Sequence, residues 1–334
     1  AYIVIASRFL TVRALVPGLD RKVLQKNWQY SRDMMFISLL GGLCTQADKA
    51  MISVLLPVRE IGLYGFAYSM VSKGALFTNS VVQAALPSFS ELLGAGSREA
   101  ALVQYKKLQN TLCWVMLPVF AGLAFIAPVV LRFALDHDAA VRLFIPLLLL
   151  SFGFYLNAAL YVPYVFSVAD GRPRITVRSN LIAVVLVLPT AWALAHRFGL
   201  RGAAVTWVLY QLVGCVYGIP RIYSHCLHRS GRDWYRTTLQ AFGLGFLVYG
   251  TAWAVAWRLG ASASALVAAY FLGTCLFGFI GYRRLGDELR VGLGRVLPFR
   301  FGNAPGHLVR DNPQSPGCSW PKEAEEASLD RRWS

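Results

Sequence analysis

The chain has 334 residues, of which 56% are hydrophobic and 15% are charged, and its mean hydropathy is +0.48. A soluble domain is usually about 45–50% apolar and about 25% charged, so this composition excludes a disordered protein and disfavours a water-soluble globule. The formal charge of +16 would suggest nucleic-acid binding in a soluble protein, but here its meaning depends on where the charges lie between apolar blocks.

Eight apolar blocks approach the length that a helix needs to cross a bilayer, about 20 residues. They are the segments 34–57, 62–86, 111–134, 143–168, 179–196, 201–220, 238–257 and 262–282. Their hydrophobicity is continuous rather than alternating, which predicts helices and not the strands of a barrel. We therefore predict an all-α, polytopic membrane protein with about eight transmembrane helices and part of a ninth.

The two ends of the chain differ from this pattern. Residues 1–17 are predicted to be the end of a truncated transmembrane helix, because Arg8 and Arg13 interrupt an apolar run that opens without Met or a signal-peptide pattern. Residues 18–290 are predicted to form the membrane-embedded part. Gly, Pro and mixed charge replace the apolar blocks after that, so residues 291–334 are predicted to be a disordered cytoplasmic tail.

Basic residues are concentrated in alternate loops. The larger set comprises Arg21, Lys22, Lys26, Arg32, Arg98, Lys106, Lys107, Arg172, Arg174, Arg178, Arg221, Arg229, Arg232 and Arg236. The smaller set, in the loops between them, comprises Arg59, Arg132, Arg142, Arg197, Arg201 and Arg258. Cytoplasmic loops carry the excess of Lys and Arg, which predicts that the larger set and the C-terminus are cytoplasmic. This distribution explains the positive charge without a nucleic-acid partner.

The sequence carries none of the common catalytic signatures. It contains no Gly-rich phosphate loop with its lysine, no paired catalytic carboxylates, no His-rich metal cluster and no nucleophile elbow. We therefore predict a protein that is not an enzyme, with no catalytic residue, no bound metal and no cofactor. Transport would then be secondary or would depend on another chain.

Two helices place polar residues in the middle of their apolar blocks. In the first, Ser38, Gly42, Thr45 and Lys49 lie within about 60° on a helical wheel, and Asp48 lies at the edge of the stripe. In the second, the residues within about 120° are Ser69, Ser72, Lys73, Asn79, Ser80 and Gln83. Because charged side chains at bilayer depth are costly, both stripes are expected to face a water-filled interior.

We select Lys73, Lys49, Asn79 and Gln83 as candidate substrate-binding residues, and Asp48 as a candidate for ion coupling. A lysine is a point charge for phosphate oxygens, so a cationic, hydroxyl-lined interior suits a pyrophosphate-linked sugar. Two other interpretations remain open for the lysines: a structural pair with Asp48, and snorkelling to the membrane surface. Further hydrogen-bonding or stacking candidates for sugars are Asn157, Gln211, Tyr155, Tyr161, Tyr164, Trp207 and Tyr210.

Several short motifs occur in the order in which polysaccharide flippases carry them. Segments 46–50 and 61–67 are similar to the helix–turn–helix that opens the second half of those proteins, with an Asp before a G-x-Y-x-x-A turn. Further similar segments are 86–90 with its P-x-x-S step, 117–123, 171–180 with its G-x-P loop, and 199–204. The chain thus resembles, over roughly residues 1–225, the oligosaccharide-lipid branch of the multidrug, oligosaccharidyl-lipid and polysaccharide exporter superfamily, which includes the O-antigen flippases.

This resemblance implies the second six-helix lobe of a two-lobe flippase, followed by two extra helices, around a central cavity. It implies translocation of undecaprenyl-pyrophosphate-linked oligosaccharide by alternating access in the bacterial inner membrane. The implied partners are the lipid-linked oligosaccharide, membrane lipids and other polysaccharide-assembly proteins. The alternatives are a multidrug/cation antiporter of the same fold and a membrane polysaccharide polymerase or ligase.

Overall fold

The computed structural model describes residues 21–260 and 262–284, so the predictions for residues 1–17 and 291–334 lie outside the described residues. All regular elements in the described part are helical, which confirms the all-α class. The α-helices are α1 (Arg21–Leu55), α2 (Val58–Gly94), α3 (Arg98–Ala134), α4 (His137–Ala169), α5 (Arg174–Phe198), α6 (Leu200–Val213), α7 (Ile219–Ile222), α8 (Arg232–Arg258) and α9 (Ala263–Arg284). The π-helical turn Gly214–Gly218 joins α6 to α7, and the π-helical turn Tyr223–Leu227 continues α7, so that Leu200–Leu227 forms one continuous rod.

Each predicted apolar block coincides with one long helix or with this rod. Within the described residues, six helices are long and apolar enough to cross a membrane: α3, α4, α5, the rod Leu200–Leu227, α8 and most of α9. Helices α1 and α2 are long enough but not apolar enough to be included, because the polar stripes lower their hydropathy. Their crossing of the membrane therefore stays a prediction.

Ion pairs join the turns at one end of the helices. Arg59, at the start of α2, contacts Asp136 just before α4, with 2.8 Å between Nη2 and Oδ2. Glu60 accepts a hydrogen bond from Arg142 of α4 at 2.9 Å. The α1–α2 turn therefore lies beside the α3–α4 turn, and the α1–α2 hairpin reaches the same level as the apolar helices.

The loops that carry the larger basic set meet at the opposite end, which we call the basic end. Arg98 at the start of α3 pairs with Asp170 after α4 at 3.1 Å, and it also donates to the carbonyl of Cys226. Arg174 at the start of α5 pairs with Asp33 of α1 at 3.0 Å. These contacts place the loops on one side, as the charge pattern requires.

Helix α4 packs against α2, α3 and α6, while α1 packs mainly against α5 and α6. Phe154 of α4 illustrates this central position: its ring lies 5.4 Å from Tyr68 of α2, 6.2 Å from Phe120 of α3 and 4.9 Å from Trp207 of α6, between centroids. Such offset and edge-on aromatic pairs stabilise the packing beyond the area that they bury. Helices α8 and α9 pack against each other and against α3.

Segments 62–67 and 199–204, which share the pattern G-L-x-G-x-A, differ in structure. Gly199 has φ +58° and ends α5, so it forms the predicted turn, and Gly202 then lies against the backbone carbonyl of Leu194. The turn predicted over 61–67 is wrong, because those residues lie inside α2. The chain turns earlier, at Pro57, whose fixed φ and missing N–H suit the position just before a helix.

Candidate functional site

A cavity of about 380 Å³, which we call the interior cavity, lies between α1, α4, α5 and the rod. Its polar and aromatic lining residues are Ser38, Thr45, Asn157, Tyr161, Tyr164, Thr176, Ser179, Asn180, Tyr210 and Gln211. Gly41 and Gly42 of α1 and Gly214 and Gly218 of the rod also line it. Three residues of the α1 stripe, Ser38, Gly42 and Thr45, therefore line this cavity, whereas Lys49 does not.

Side-chain amides give the interior cavity its hydrogen-bonding capacity. Asn157 Nδ2 donates to Gln211 Oε1 at 3.3 Å, and Tyr210 donates its hydroxyl to Asn180 Oδ1 at 3.3 Å. Gln211 is only 3% exposed, yet its Nε2 has no hydrogen-bond partner among the described residues. An unpaired buried donor costs about 1–3 kcal/mol, so this amide is ready to donate to a bound polar group.

Among the described residues, none that lines the interior cavity carries a charged side chain. Amides, hydroxyls and tyrosine rings are the groups that bind a neutral, hydroxyl-rich molecule by hydrogen bonds and by stacking. The arrangement therefore suits a sugar better than a phosphate group or a cation.

The rod departs from regular α-helix where it borders this cavity. The π-helical turn Gly214–Gly218 begins one short step after Gln211, beyond Leu212 and Val213. The carbonyl of Cys215 within it accepts a hydrogen bond from the Tyr235 hydroxyl at 2.6 Å. Isolated π-helical turns are frequent at functional sites because they widen the backbone and redirect side chains. Glycines at both ends of this turn leave room for the cavity.

Asp48 and Lys49 form a compact cluster between α1 and α2. Asp48 is 1% exposed; its Oδ2 accepts a hydrogen bond from the Tyr64 hydroxyl at 2.6 Å, and its Oδ1 accepts one from the Lys49 amide at 2.8 Å. The Lys49 ammonium lies 3.7 Å from Asp48 Oδ1, 3.0 Å from the Thr45 carbonyl and 3.6 Å from the centroid of the Tyr68 ring. The pairing of Asp48 with Lys49, which was one of the open interpretations, is therefore present.

The α2 candidates lie elsewhere. Lys73 and Gln83 are exposed and Asn79 is half-buried, and none of the three side chains makes a hydrogen bond or an ion pair within the described residues. They do not line the interior cavity, because α2 buries its opposite face against α3 and α4. The structure therefore does not bring the five predicted site residues into one pocket.

Sequence reasoning identified part of the interior cavity. Asn157, Tyr161, Tyr164, Tyr210 and Gln211 line it as candidates for sugar contacts, whereas Tyr155 and Trp207 lie in other parts of the core. The residues that it missed are Thr176, Ser179 and Asn180 of α5. An Asn within an apolar helix was the available signal for Asn180, since polar side chains at bilayer depth usually face a cavity or a partner.

Comparison with known sequences gives two matches. A family model described as polysaccharide biosynthesis protein matches residues 1–138. The capsular polysaccharide biosynthesis protein CapF of Staphylococcus aureus is 24% identical over 193 residues, which cover 55% of this chain and 46% of CapF. The match therefore spans less than half the length of this relative.

Comparison with solved structures gives two matches. Lipid II flippase MurJ, in its inward closed conformation, matches with a TM-score of 0.56 and 15% identity, over 75% of this chain and 52% of MurJ. A MOP superfamily transporter from Pyrococcus furiosus matches with a TM-score of 0.46 and 16% identity, over 74% of this chain and 61% of its own. The family model and CapF are both described as polysaccharide biosynthesis proteins, and the likeness to MurJ is one of fold. The chain is thus similar to polysaccharide biosynthesis proteins and shares the fold of lipid II flippase MurJ.

Proposed function

We propose that this chain takes part in moving lipid-linked oligosaccharide repeat units, carried on undecaprenyl pyrophosphate, across the bacterial cytoplasmic membrane for surface polysaccharide synthesis. The observation that carries the proposal is the interior cavity: a neutral, amide- and hydroxyl-lined space with an unpaired buried Gln211 amide, inside apolar helices. Such a lining stabilises sugar hydroxyls at a depth where lipid offers them no hydrogen bond. The process is transport by alternating access, without covalent chemistry.

The open face of α2 supplies the cationic part of the proposed path. Lys73 lies about 22 Å along the helix axis from Val58, at 1.5 Å per residue, and it makes no ion pair within the described residues. Asn79 and Gln83 follow on the same helix. We assign Lys73 to the phosphates of the substrate during passage, with Asn79 and Gln83 as neighbouring donors.

The cluster of Asp48 and Lys49 is proposed to couple transport to an ion gradient. A carboxylate that is 1% exposed and has a lysine partner on the same helix is the kind of intramembrane pair that marks ion pathways. Lys49 contacts Tyr68 of α2 through its ammonium, so a change in the charge of Asp48 acts directly on the contact between α1 and α2. The driving ion would be a proton or Na⁺.

Deletion of the gene in its bacterial host tests this function against the two alternatives. A flippase defect abolishes surface polysaccharide and leaves lipid-linked repeat units that are inaccessible to lectin on intact spheroplasts but accessible after permeabilisation. A polymerase or ligase defect leaves the units accessible from outside. An antiporter defect leaves the polysaccharide unchanged, with altered drug resistance.

Only inaccessible accumulation supports the proposal, and each of the other two patterns overturns it. Complementation by the intact gene is the control for effects on neighbouring genes. Western blotting of the other membrane proteins of polysaccharide assembly excludes an indirect loss of a partner.

A further inference from the structure

A second cavity, of about 510 Å³, lies at the basic end, where α1, the α4–α5 loop, the start of α5 and the end of the rod meet. We call it the basic cavity. Its lining residues are Gln29, Tyr30, Asp33, Gly171, Arg172, Pro173, Arg174, Ile175, Arg178, Tyr217, Arg221 and His225. In the described part of the chain, this space is therefore lined by four arginines and one carboxylate.

The ion pairs around the basic cavity leave two of these arginines available. Asp33, its carboxylate, already binds Arg174 at 3.0 Å and Arg32 at 3.2 Å. Asp170, just before the α4–α5 loop, pairs in the same way with Arg98 and Arg172. Neither acidic group is left to neutralise a further cation.

Arg178 and Arg221 make no ion pair within the described residues. The Arg221 guanidinium lies 5.1 Å from the centroid of the Tyr217 ring, a cation–π contact that orients it while leaving its N–H donors free. Both side chains are exposed to the cavity side rather than buried among apolar residues. Two unpaired guanidiniums in one cavity form a site for a dianion.

The N-terminus of α5 adds to this positive potential. Residues 171–175 line the cavity, and the first turn of α5 has neither an acidic residue nor a side-chain cap. The partial positive charge at a helix N-terminus favours an anion there. This partial charge adds to the positive potential of the basic cavity, most of which comes from the arginines.

The basic cavity adjoins the interior cavity. Ile175 lines both, and along the rod Tyr217 and Arg221 of the basic cavity alternate with Gly218 and Ile222 of the interior cavity. A ligand whose anionic group binds in the basic cavity thus has the adjoining part of its molecule near the interior cavity. The two linings differ as the two parts of a sugar diphosphate do: arginines for phosphate oxygens, and amides and tyrosines for sugar hydroxyls.

We propose that the basic cavity is the initial binding site for the diphosphate of a lipid-linked saccharide, with Arg178 and Arg221 each binding one phosphate. This inference rests on the proposed function and adds a loading step before the passage along Lys73. Arginine binds phosphate oxygens through paired N–H donors, which favours a diphosphate over a single negative charge. Anionic phospholipids carry the same phosphate chemistry, so the test separates the two sources.

The test measures binding to the full chain in nanodiscs of phosphatidylcholine, by native mass spectrometry, with undecaprenyl diphosphate and undecaprenyl monophosphate as probes. The variant R178Q/R221Q removes both free guanidiniums. The matched control is K107Q/R232Q, which removes the same charge from exposed positions at the basic end that do not line the cavity. Thermal unfolding verifies that both variants fold.

We expect the native chain to bind the diphosphate more tightly than the monophosphate. R178Q/R221Q is expected to weaken diphosphate binding at least tenfold, and the control to change it less than twofold. Equal binding by R178Q/R221Q and the native chain overturns this inference and leaves the proposed function standing. Displacement of the diphosphate by an equal amount of phosphatidylglycerol assigns the cavity to membrane lipid and overturns it as well. Absence of diphosphate binding by the native chain contradicts the proposed function itself.

Discussion

Asp48 is a buried carboxylate whose neighbours supply the donors that it needs. The Tyr64 hydroxyl, the Lys49 amide and the Lys49 ammonium surround its two oxygens. The Tyr64 bond is the contact that links Asp48 to another helix, because Lys49 belongs to α1 as Asp48 does. The hydrogen bond between Tyr64 and Asp48 therefore stabilises the packing of α1 against α2.

We expect Tyr64→Phe to lower the free energy of unfolding by about 1–2 kcal/mol. A hydrogen bond to a charged group contributes about 1.5–3 kcal/mol in water-soluble proteins and less in membrane proteins, where the average is about 0.6 kcal/mol. Unfolding in mixed micelles of dodecyl sulfate and a mild detergent measures the difference. Tyr161→Phe is the control, since its hydroxyl makes no hydrogen bond among the described residues and its loss should leave stability unchanged. Equal effects of the two variants would contradict the role given to Tyr64.

Lys73 offers a sharper functional test than Lys49, because it is exposed and its side chain makes no hydrogen bond or ion pair in the described part of the chain. We expect Lys73→Gln in the host gene to reduce surface polysaccharide at least tenfold while the amount of protein in the membrane stays normal. Lys73→Arg keeps the positive charge and should retain most of the polysaccharide. Lys107→Gln removes an exposed lysine at the basic end and should have no effect. Normal polysaccharide in the Lys73→Gln strain would remove Lys73 from the proposed path.

At the scale of the helices, the two G-L-x-G-x-A segments have similar sequences but occupy different positions: one lies inside α2, and the other forms the turn between α5 and α6. Gly202 follows the α5–α6 turn and lies against the backbone of Leu194, whereas Gly65 lies inside α2 with no heavy atom within 4 Å of an added Cβ. The similarity in sequence is therefore not a similarity in packing. The consequence of adding one methyl group should differ in sign between the two.

We expect Gly202→Ala to lower the free energy of unfolding by at least about 2 kcal/mol, because the new Cβ meets a carbonyl that cannot rotate away. Gly65→Ala should leave stability unchanged or raise it by up to about 1 kcal/mol, the difference in helix propensity between Ala and Gly. The same micellar unfolding titration measures both. Similar destabilisation by the two substitutions would show that the α5–α6 turn is not as tight as described.

At the scale of the whole molecule, the orientation in the membrane is still a prediction from charge. The described turns fall into two groups, one beside the Arg59–Asp136 pair and one at the basic end. The larger basic set lies in the second group, which the positive-inside rule assigns to the cytoplasm.

Cysteine labelling tests this orientation, in a background in which Cys275 and Cys318 are replaced by Ser. Val58→Cys and Asp138→Cys lie at exposed positions at the Arg59 end, and Ala95→Cys lies at an exposed position at the basic end. An impermeant maleimide should label the first two on intact spheroplasts and the third only after permeabilisation. The reverse pattern would invert the assignment. Labelling of Val58→Cys from inside alone would mean that α1 and α2 do not cross the membrane.

Much of this architecture was predictable because lipid imposes simple conditions on a sequence. Apolar blocks of sufficient length must be helical, and eight of them coincide with the helices that the structure describes. Ser38 and Thr45 were expected to face an interior space, and they line one. The helical wheel predicted the same for Lys73, yet in the described part of the chain its side chain is exposed and does not line the interior cavity.

The class of fold, the helices and the clustering of basic loops could be predicted from the sequence, because these depend on local hydrophobicity and on charge between apolar blocks. Which polar faces meet depends instead on how the helices pack. A helical wheel states which residues share a face, but not which neighbour covers that face. Asp48 accepts a hydrogen bond from Tyr64 of the neighbouring helix, and the Gln211 Nε2 has no hydrogen-bond partner among the described residues. Arg178 and Arg221, from different helices, line one cavity. The composition and charge of the chain thus describe a membrane protein, and the packing of α1, α5 and the rod places its polar groups where a ligand can bind.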